Sequence, residues 1–339
     1  MTEEQKIDWT SGEIGNLWNI YMANSMALCM FKHFLLNIED EEIKDCMTTA
    51  DDLSKKILSD LKGFFETEGV ALPQGFSTAD DVNEDAPRLF SDSFYINYLD
   101  MMVKYGALYY SVALPSFSKI ELRNYITDLN ISTLQLSNKV TEVMLKKGLH
   151  LRTPFIPAPK TVVFVEKQSY FNGFFGDKRP LSALEITHLF SNIQVNAIKT
   201  ILIMGFSQVA KNKEVRNYFL RGKKINIKQH TILSQILNKE DLPVSVPSQF
   251  KITDSTEAPY SDKLMLFHIS NLSSAKVRNF GDSMAVSPRH DLASTYTRFF
   301  METANFAEDG GNLQIENDWM ERPPGNVDRD QLAKQKKTQ

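Results

Sequence analysis

Apolar residues recur every three to four positions over most of this 339-residue chain, the spacing of one face of an α-helix. The first such segment covers about 11–37, with Ile14, Leu17, Trp18, Tyr21, Leu28, Phe31 and Leu35 on its stripe. The second covers 39–68 through Ile43, Met47, Ala50, Leu53, Ile57 and Leu61. Asp40, Glu41 and Glu42 stand in its first turn, where the helix dipole favours acids. Gly69 is placed to stop it. After a loop over 72–87, helices are predicted at 89–114 and 117–148. The pattern then starts again, with helices predicted at 182–211, 213–239, 261–286 and 289–320. No alternation long enough for a sheet appears, and the β-prone stretch is a scrap over 161–165.

The second series restates the first. Glu185-Ile186-x-x-Leu189-Phe190 repeats Glu13-Ile14-x-x-Leu17-Trp18 at a distance of 172 positions, and Asn196 repeats Asn24 at the same distance. The loop Val246-Pro-Ser-Gln-Phe250 answers Leu72-Pro-Gln-Gly-Phe76. The chain therefore reads as all-α, a tandem duplication of two up-and-down four-helix bundles. The first bundle is assigned to 9–155 and the second to 181–325. An aromatic and Pro-rich linker over 156–180 joins them, and a polar tail over 326–339 follows. Phe171, Phe174 and Phe175 of the linker are expected to find cover in the crease between the halves.

Composition sharpens this picture only by exclusion. Hydrophobic residues make up 42% and charged residues 24%, enough for each half to bury a core. The net charge of −4 lacks the basic field that nucleic-acid binding needs, so no nucleic-acid partner is expected. Cys29 and Cys46 fall on predicted helices and read as buried thiols. The polar N-terminus has no apolar signal core. The apolar run over 198–206 is broken at its start by Lys199 and Thr200, so no membrane span is expected and the protein is expected to be cytoplasmic. No Gly-rich phosphate loop, Cys-x-x-Cys, Gly-x-Ser-x-Gly or His-Glu-x-x-His occurs.

One constellation points to chemistry. Glu-x-x-His places both side chains on one helix face, and helix bundles use it to hold metals. Glu185-x-x-His188 is such a pair, and the first repeat has Glu13-x-x-Asn16 in its place. His268 shares its helix face with Leu264, Met265, Leu272 and Ala275. If the helices alternate up and down, His188, His230 and His268 fall in one layer. The resulting reading is a single divalent transition metal, zinc or iron, in the second bundle, held by Glu185, His188 and His268, with His230 as an optional ligand. Each residue also has a structural reading. Glu185 completes a capping box with Ser182, His268 is a hydrogen-bonded core histidine, and His230 flanks a surface. Asn192 and Asn196 form an inter-helix seam, and His33, His150 and His290 are surface or loop residues. With one Glu-x-x-His pair, di-iron oxidase chemistry is not expected.

The runs Leu181-Ser-Ala-Leu-Glu-Ile-Thr-His-Leu-Phe190, Gly205-Phe-Ser-Gln-Val-Ala-Lys211, Arg221-Gly-Lys223 and Asp254-Ser-Thr-Glu257 before Ser261-Asp-Lys263 resemble the bacterial family known as domain of unknown function 3231. The resemblance extends from Trp9 to about Asp328. It implies a tandem of bundles similar in shape to ferritin-like proteins, an origin in sporulating firmicutes, and metal binding in some relatives. Relatives carry a histidine close to Gln229, which stands here at His230. The family brings no activity with it. Two expectations follow: an uncharacterised helical-bundle protein with one divalent metal, or a non-catalytic structural or stress protein of sporulating cells. Either is compatible with a homodimer, and neither names a small-molecule partner.

Overall fold

Local capping chemistry places the helices where the periodicity predicts them. In this computed structural model, which describes residues 8–174, 178–242 and 250–335, the first repeat holds α1 (Ser11–Asn37), α2 (Glu41–Glu68), a one-turn α3 (Thr78–Asp81), α4 (Asp92–Ala113) and α5 (Ile120–Lys146). The second holds α6 (Ala183–Val209), α7 (Lys213–Asn238), α8 (Asp262–Ala285) and α9 (His290–Glu316), with α10 (Arg329–Gln335) in the tail. Thr10 and Glu13 form a capping box at α1, and Ser182 and Glu185 form the same box at α6. In each, the cap oxygen and the glutamate satisfy two backbone donors that the first turn would otherwise orphan. Asp40 caps α2 and Asn212 caps α7. Gly69, at φ 68, ends α2 in the left-handed conformation that favours glycine. Among the described residues there is no strand, only two isolated bridges.

The directions of the helices depart from simple alternation. His188 and Asn192, early in α6, meet Ser283 late in α8, and Lys199 meets Ser273, so α6 and α8 are antiparallel. Tyr218 and Ser270 close on the same glycine, Gly310, while Asn226 meets Lys276 further on. Helices α7 and α8 therefore run parallel. The order is up, down, down, up, with the long α7–α8 connection crossing the bundle, as bundles with one long crossover do. The first repeat does the same: Asn16 of α1 meets Tyr109 of α4, and Asp40 and Asp45 of α2 pair with Lys147 and Lys139 of α5.

The two repeats hold each other by their crossover loops, and they do so reciprocally. Val82 bridges to Tyr260 and Phe90 bridges to Ile252. Asn83 N–H donates to Pro259 O at 2.9 Å, and its counterpart Thr253 donates to Leu89 O at 3.0 Å. Ser91 N–H donates to Lys251 O, and Ser261 N–H to Asp81 O. This is the self-complementary pattern of a two-fold dimer, built within one chain. Behind the loops, one continuous core takes Met26, Phe34 and Tyr95 from the first repeat and Leu202, Phe206 and Leu264 from the second. Tyr98 and His268, 170 positions apart and equivalent in the two repeats, meet there at 2.9 Å.

Three expectations are corrected. The linker does not fill the crease: Phe155 is 86% exposed and Val162, Val163 and Phe164 are each 84% exposed. Phe171 and Phe174 are also exposed, and Phe175 lies outside the described residues. Phe171 stacks on His290 and Phe174 lies against the start of α9, on the second bundle rather than between the halves. The tail, expected to be frayed, forms the short α10. His33, expected at the surface, is buried against the Ala86 carbonyl at 3.0 Å, because the second repeat covers that face of α1. Cys29 and Cys46 are buried free thiols. Helix α6 is long and apolar enough to cross a bilayer, and 67% of its most apolar window is buried inside the protein.

Candidate functional site

The polar stripe of α6 runs through Glu185, His188, Asn192, Asn196 and Lys199, three or four residues apart, and each member is hydrogen-bonded, His188 and Asn192 both to Ser283. Glu185 is fully buried. Its two oxygens take a bidentate pair from Arg179 at 2.7 and 2.8 Å, the Ser182 N–H at 2.8 Å and the Arg289 N–H at 3.4 Å. Burial works to raise its pKa, but the Arg179 pair and the backbone donors outweigh it and hold the carboxyl below the usual range. His188 Nδ1 lies 3.1 Å from Ser283 Oγ, and burial lowers its pKa. His230 is half-buried with its Nε2 unpartnered. His268 is fully buried, its Nε2 against Tyr98 and its Nδ1 unpartnered. Burial, aided by the Lys199 charge, pushes its pKa down to about 3, so it is neutral.

These four residues are not brought together. His188 sits against Ser283, and His268 lies 15 residues earlier on the same helix, roughly 22 Å at about 1.5 Å per residue. The layer expected from alternating helices is lost because α8 runs antiparallel to α6. Glu185 has no oxygen free of a cation or backbone donor. Among the described residues, no group of three His, Cys, Asp or Glu side chains stands together as a metal ion requires. The donor set present does not fit a zinc or iron ion. The structural readings of Glu185 as a capping acid, His268 as a core histidine and Asn192/Asn196 as a seam match the contacts observed.

What occupies the centre of the second bundle is a pair of lysines. Lys199 and Lys276 are 1% exposed. Lys199 Nζ donates to Ser273 Oγ at 2.6 Å. Lys276 Nζ donates to Asn196 Oδ1 and, at 2.8 Å, to Asn226 Oδ1. Lys199 Nζ lies 5.8 Å from the Phe306 ring centroid and Lys276 Nζ 5.4 Å from that of Phe280. Neither has a carboxylate in contact. Burial drives the Lys199 ammonium down to about 7, and burial together with the Lys199 charge drives Lys276 well below its usual value. Gln229, one position before His230, is also buried and donates to Glu302 and Thr303. Lys199 continues the α6 stripe, following Asn196 by three, while Lys276 stands on α8. In the sequence Lys199 stands out only as an interruption of an apolar run.

The first bundle is empty where the second is full. Ala27 stands in place of Lys199, Gly106 in place of Lys276, and Ser54 in place of Asn226. Truncating long side chains to Ala and Gly leaves a void that the backbone does not close. A cavity of about 540 Å³ lies there, with the buried Ala27, Ala50, Ser54 and Leu99 at its inner end and Gly106 in its wall. Its mouth opens between Trp18 and Tyr109 of the first repeat and Asn271 and Arg278 of the second. Sequence patterning could not show it, because the signal is the absence of side chains.

No curated protein matches the chain. Among solved structures, one described as a "putative spore coat protein" from Bacillus halodurans C-125 is similar at 18% identity and a TM-score of 0.42, covering 45% of this chain and 99% of that one. The family described as "Protein of unknown function (DUF3231)" matches residues 1–162 and again residues 169–332. Both repeats with their helices are thereby covered, and the chain belongs to that family.

Proposed function

We propose that this chain is a binding protein whose first bundle receives a small, mainly apolar molecule while the second bundle serves as a filled, rigid support. The observation that carries this is the cavity of about 540 Å³ lying where Ala27 and Gly106 replace Lys199 and Lys276 of the second repeat. That volume lies within the roughly 300–1,000 Å³ of small-molecule sites, and the lining is of the same mainly apolar kind. Trp18 at the mouth supplies a direct readout. Adding 1-dodecanol, an uncharged apolar probe, is expected to change tryptophan emission and raise the melting temperature. Ala27→Leu, which fills the inner end, is expected to remove both effects. No response in the wild type, or one that survives Ala27→Leu, would sink the reading.

Gly106→Ala offers a second check. The added methyl would meet only Thr133 Cγ2 at 3.6 Å and Tyr110 Cε2 at 3.7 Å, ordinary contacts. A mid-helix Gly→Ala change contributes about 1 kcal/mol of helix propensity. The variant is therefore expected to be more stable than wild type by about 1 kcal/mol in denaturant titration. A destabilised variant would mean that the space at Gly106 is not open.

A divalent ion in the second bundle ranks below this reading, since it would require the Arg179–Glu185 pair to open. Zinc or iron found at one equivalent per chain by elemental analysis of the natively purified protein would reverse the ranking.

A further inference from the structure

The cavity of the first bundle is apolar inside, but its mouth carries a charge. Among the described residues that line it, Arg278 is the one charged side chain, and none is an aspartate or glutamate. Arg278 belongs to α8, so the second repeat reaches across to the first repeat's cavity; its counterpart in the first repeat is Leu108. Arg179, Arg221 and Arg289 all hold carboxylates. Arg278 pairs with none among the described residues, and its Nε is buried without a hydrogen-bond partner. Tyr105 and Tyr109 line the same mouth. Burial raises their hydroxyls above the usual value, and the nearby Arg278 cation opposes that rise. The guanidinium therefore faces the tyrosines at the edge of a low-dielectric space with no anion to balance it.

An unpaired buried donor costs stability, whereas a carboxylate placed there would gain charge-assisted bonds in a fork that matches guanidinium geometry. Behind the mouth, the lining towards Ala27 is mostly apolar or small, and the Asn24 amide there already donates to the Ile20 carbonyl. Resting on the reading of this cavity as a receptor, we propose that its ligand is an amphipathic monoanion, an apolar chain ending in a carboxylate. The chain lies in the first bundle and the head is held by Arg278 of the second. The two repeats thus divide one ligand between them.

The test compares dodecanoate with 1-dodecanol on the full-length protein, by tryptophan emission and by native mass spectrometry for stoichiometry. Dodecanoate is expected to bind one per chain and about tenfold or more tighter than dodecanol, the gain from one charge-assisted contact. Arg278→Gln is expected to reduce dodecanoate to the affinity of dodecanol without changing dodecanol itself, and Arg278→Lys to restore part of the preference. Equal binding of acid and alcohol would overturn the anionic head while leaving the apolar receptor standing. A preference that persists in Arg278→Gln would place the head elsewhere and overturn it too. Binding of neither probe would remove the receptor and this proposal together.

Discussion

Glu185→Ala is expected to destabilise the protein by about 3–5 kcal/mol, the cost of leaving a buried cation without its partner. Glu185 is fully buried and serves four donors on three segments: Arg179 in the linker, Ser182 at the α6 cap and Arg289 at the start of α9. Its removal leaves the half-buried Arg179 unpaired and orphans the Ser182 N–H. The equivalent Glu13 gives an internal comparison. It caps α1 in the same way and accepts the N–H groups of Ser118 and Lys119 at 2.9 Å, but it pairs with no arginine. Burial works against its ionisation, yet these backbone donors hold its carboxyl at about 2. Glu13→Ala is therefore expected to cost less than Glu185→Ala in urea titrations at pH 7. Equal costs, or a Glu185→Ala variant as stable as wild type, would show that the Arg179 pair does not hold the linker to the second bundle.

Lys199 is expected to contribute stability that grows between pH 7 and pH 9.5, read as the difference between the wild type and Lys199→Met. An unfolded lysine keeps its proton to about 10.5, whereas folded Lys199 releases it near 7. Between those values the unfolded chain binds more protons at this side chain, and its contribution to stability then increases with pH. At 1.36 kcal/mol per unit, Lys199 alone contributes about 3 kcal/mol over this interval, and Lys276 adds in the same direction. The Cys29 and Cys46 thiols and the buried tyrosines, raised by burial, work in the opposite direction in both proteins and cancel in the difference. His268, at about 3, has no proton to lose there. Glu302, which favours the Lys276 charge, opposes only the second lysine's shift. Lys199→Met is expected to flatten the slope and to raise stability at pH 7, since it exchanges a poorly solvated ammonium for an apolar side chain of similar length. Melting temperatures recorded from pH 7 to 9.5 for both proteins check this. Parallel profiles for the two proteins would mean that Lys199 is charged and solvated.

The sequence carried the helices because their signals are local. The three-four spacing, the capping boxes at Thr10–Glu13 and Ser182–Glu185, and Gly69 each act within a few residues, and the observed ends lie within about four positions of those expected. The repeat was equally legible, from Glu13 and Glu185 onward. Helix direction was not. The path of the crossover between α7 and α8 depends on how two loops from distant repeats pair, and no local pattern encodes that. The expected histidine layer failed for that reason alone. His33 was misjudged similarly: its burial comes from residues far away in the chain. Lys199 and Lys276 were visible but undervalued, since a lone lysine on an apolar helix ordinarily reaches solvent along its stem. The first-bundle cavity follows only from comparing Ala27 and Gly106 with their counterparts once the helices are aligned in space.

The reciprocal pairing of the crossover loops also bears on how such a chain can evolve. In a symmetric pair of identical subunits, every substitution appears twice, so neither interior can change without the other. Joining the copies in one gene removes that bond while the shared seam, from Val82 with Tyr260 to Phe90 with Ile252, keeps them matched. Selection then acts on the seam as a pair and on each interior alone. One interior has become packed with lysines and the other has been hollowed, a division of labour open to a duplicated gene and closed to a homodimer.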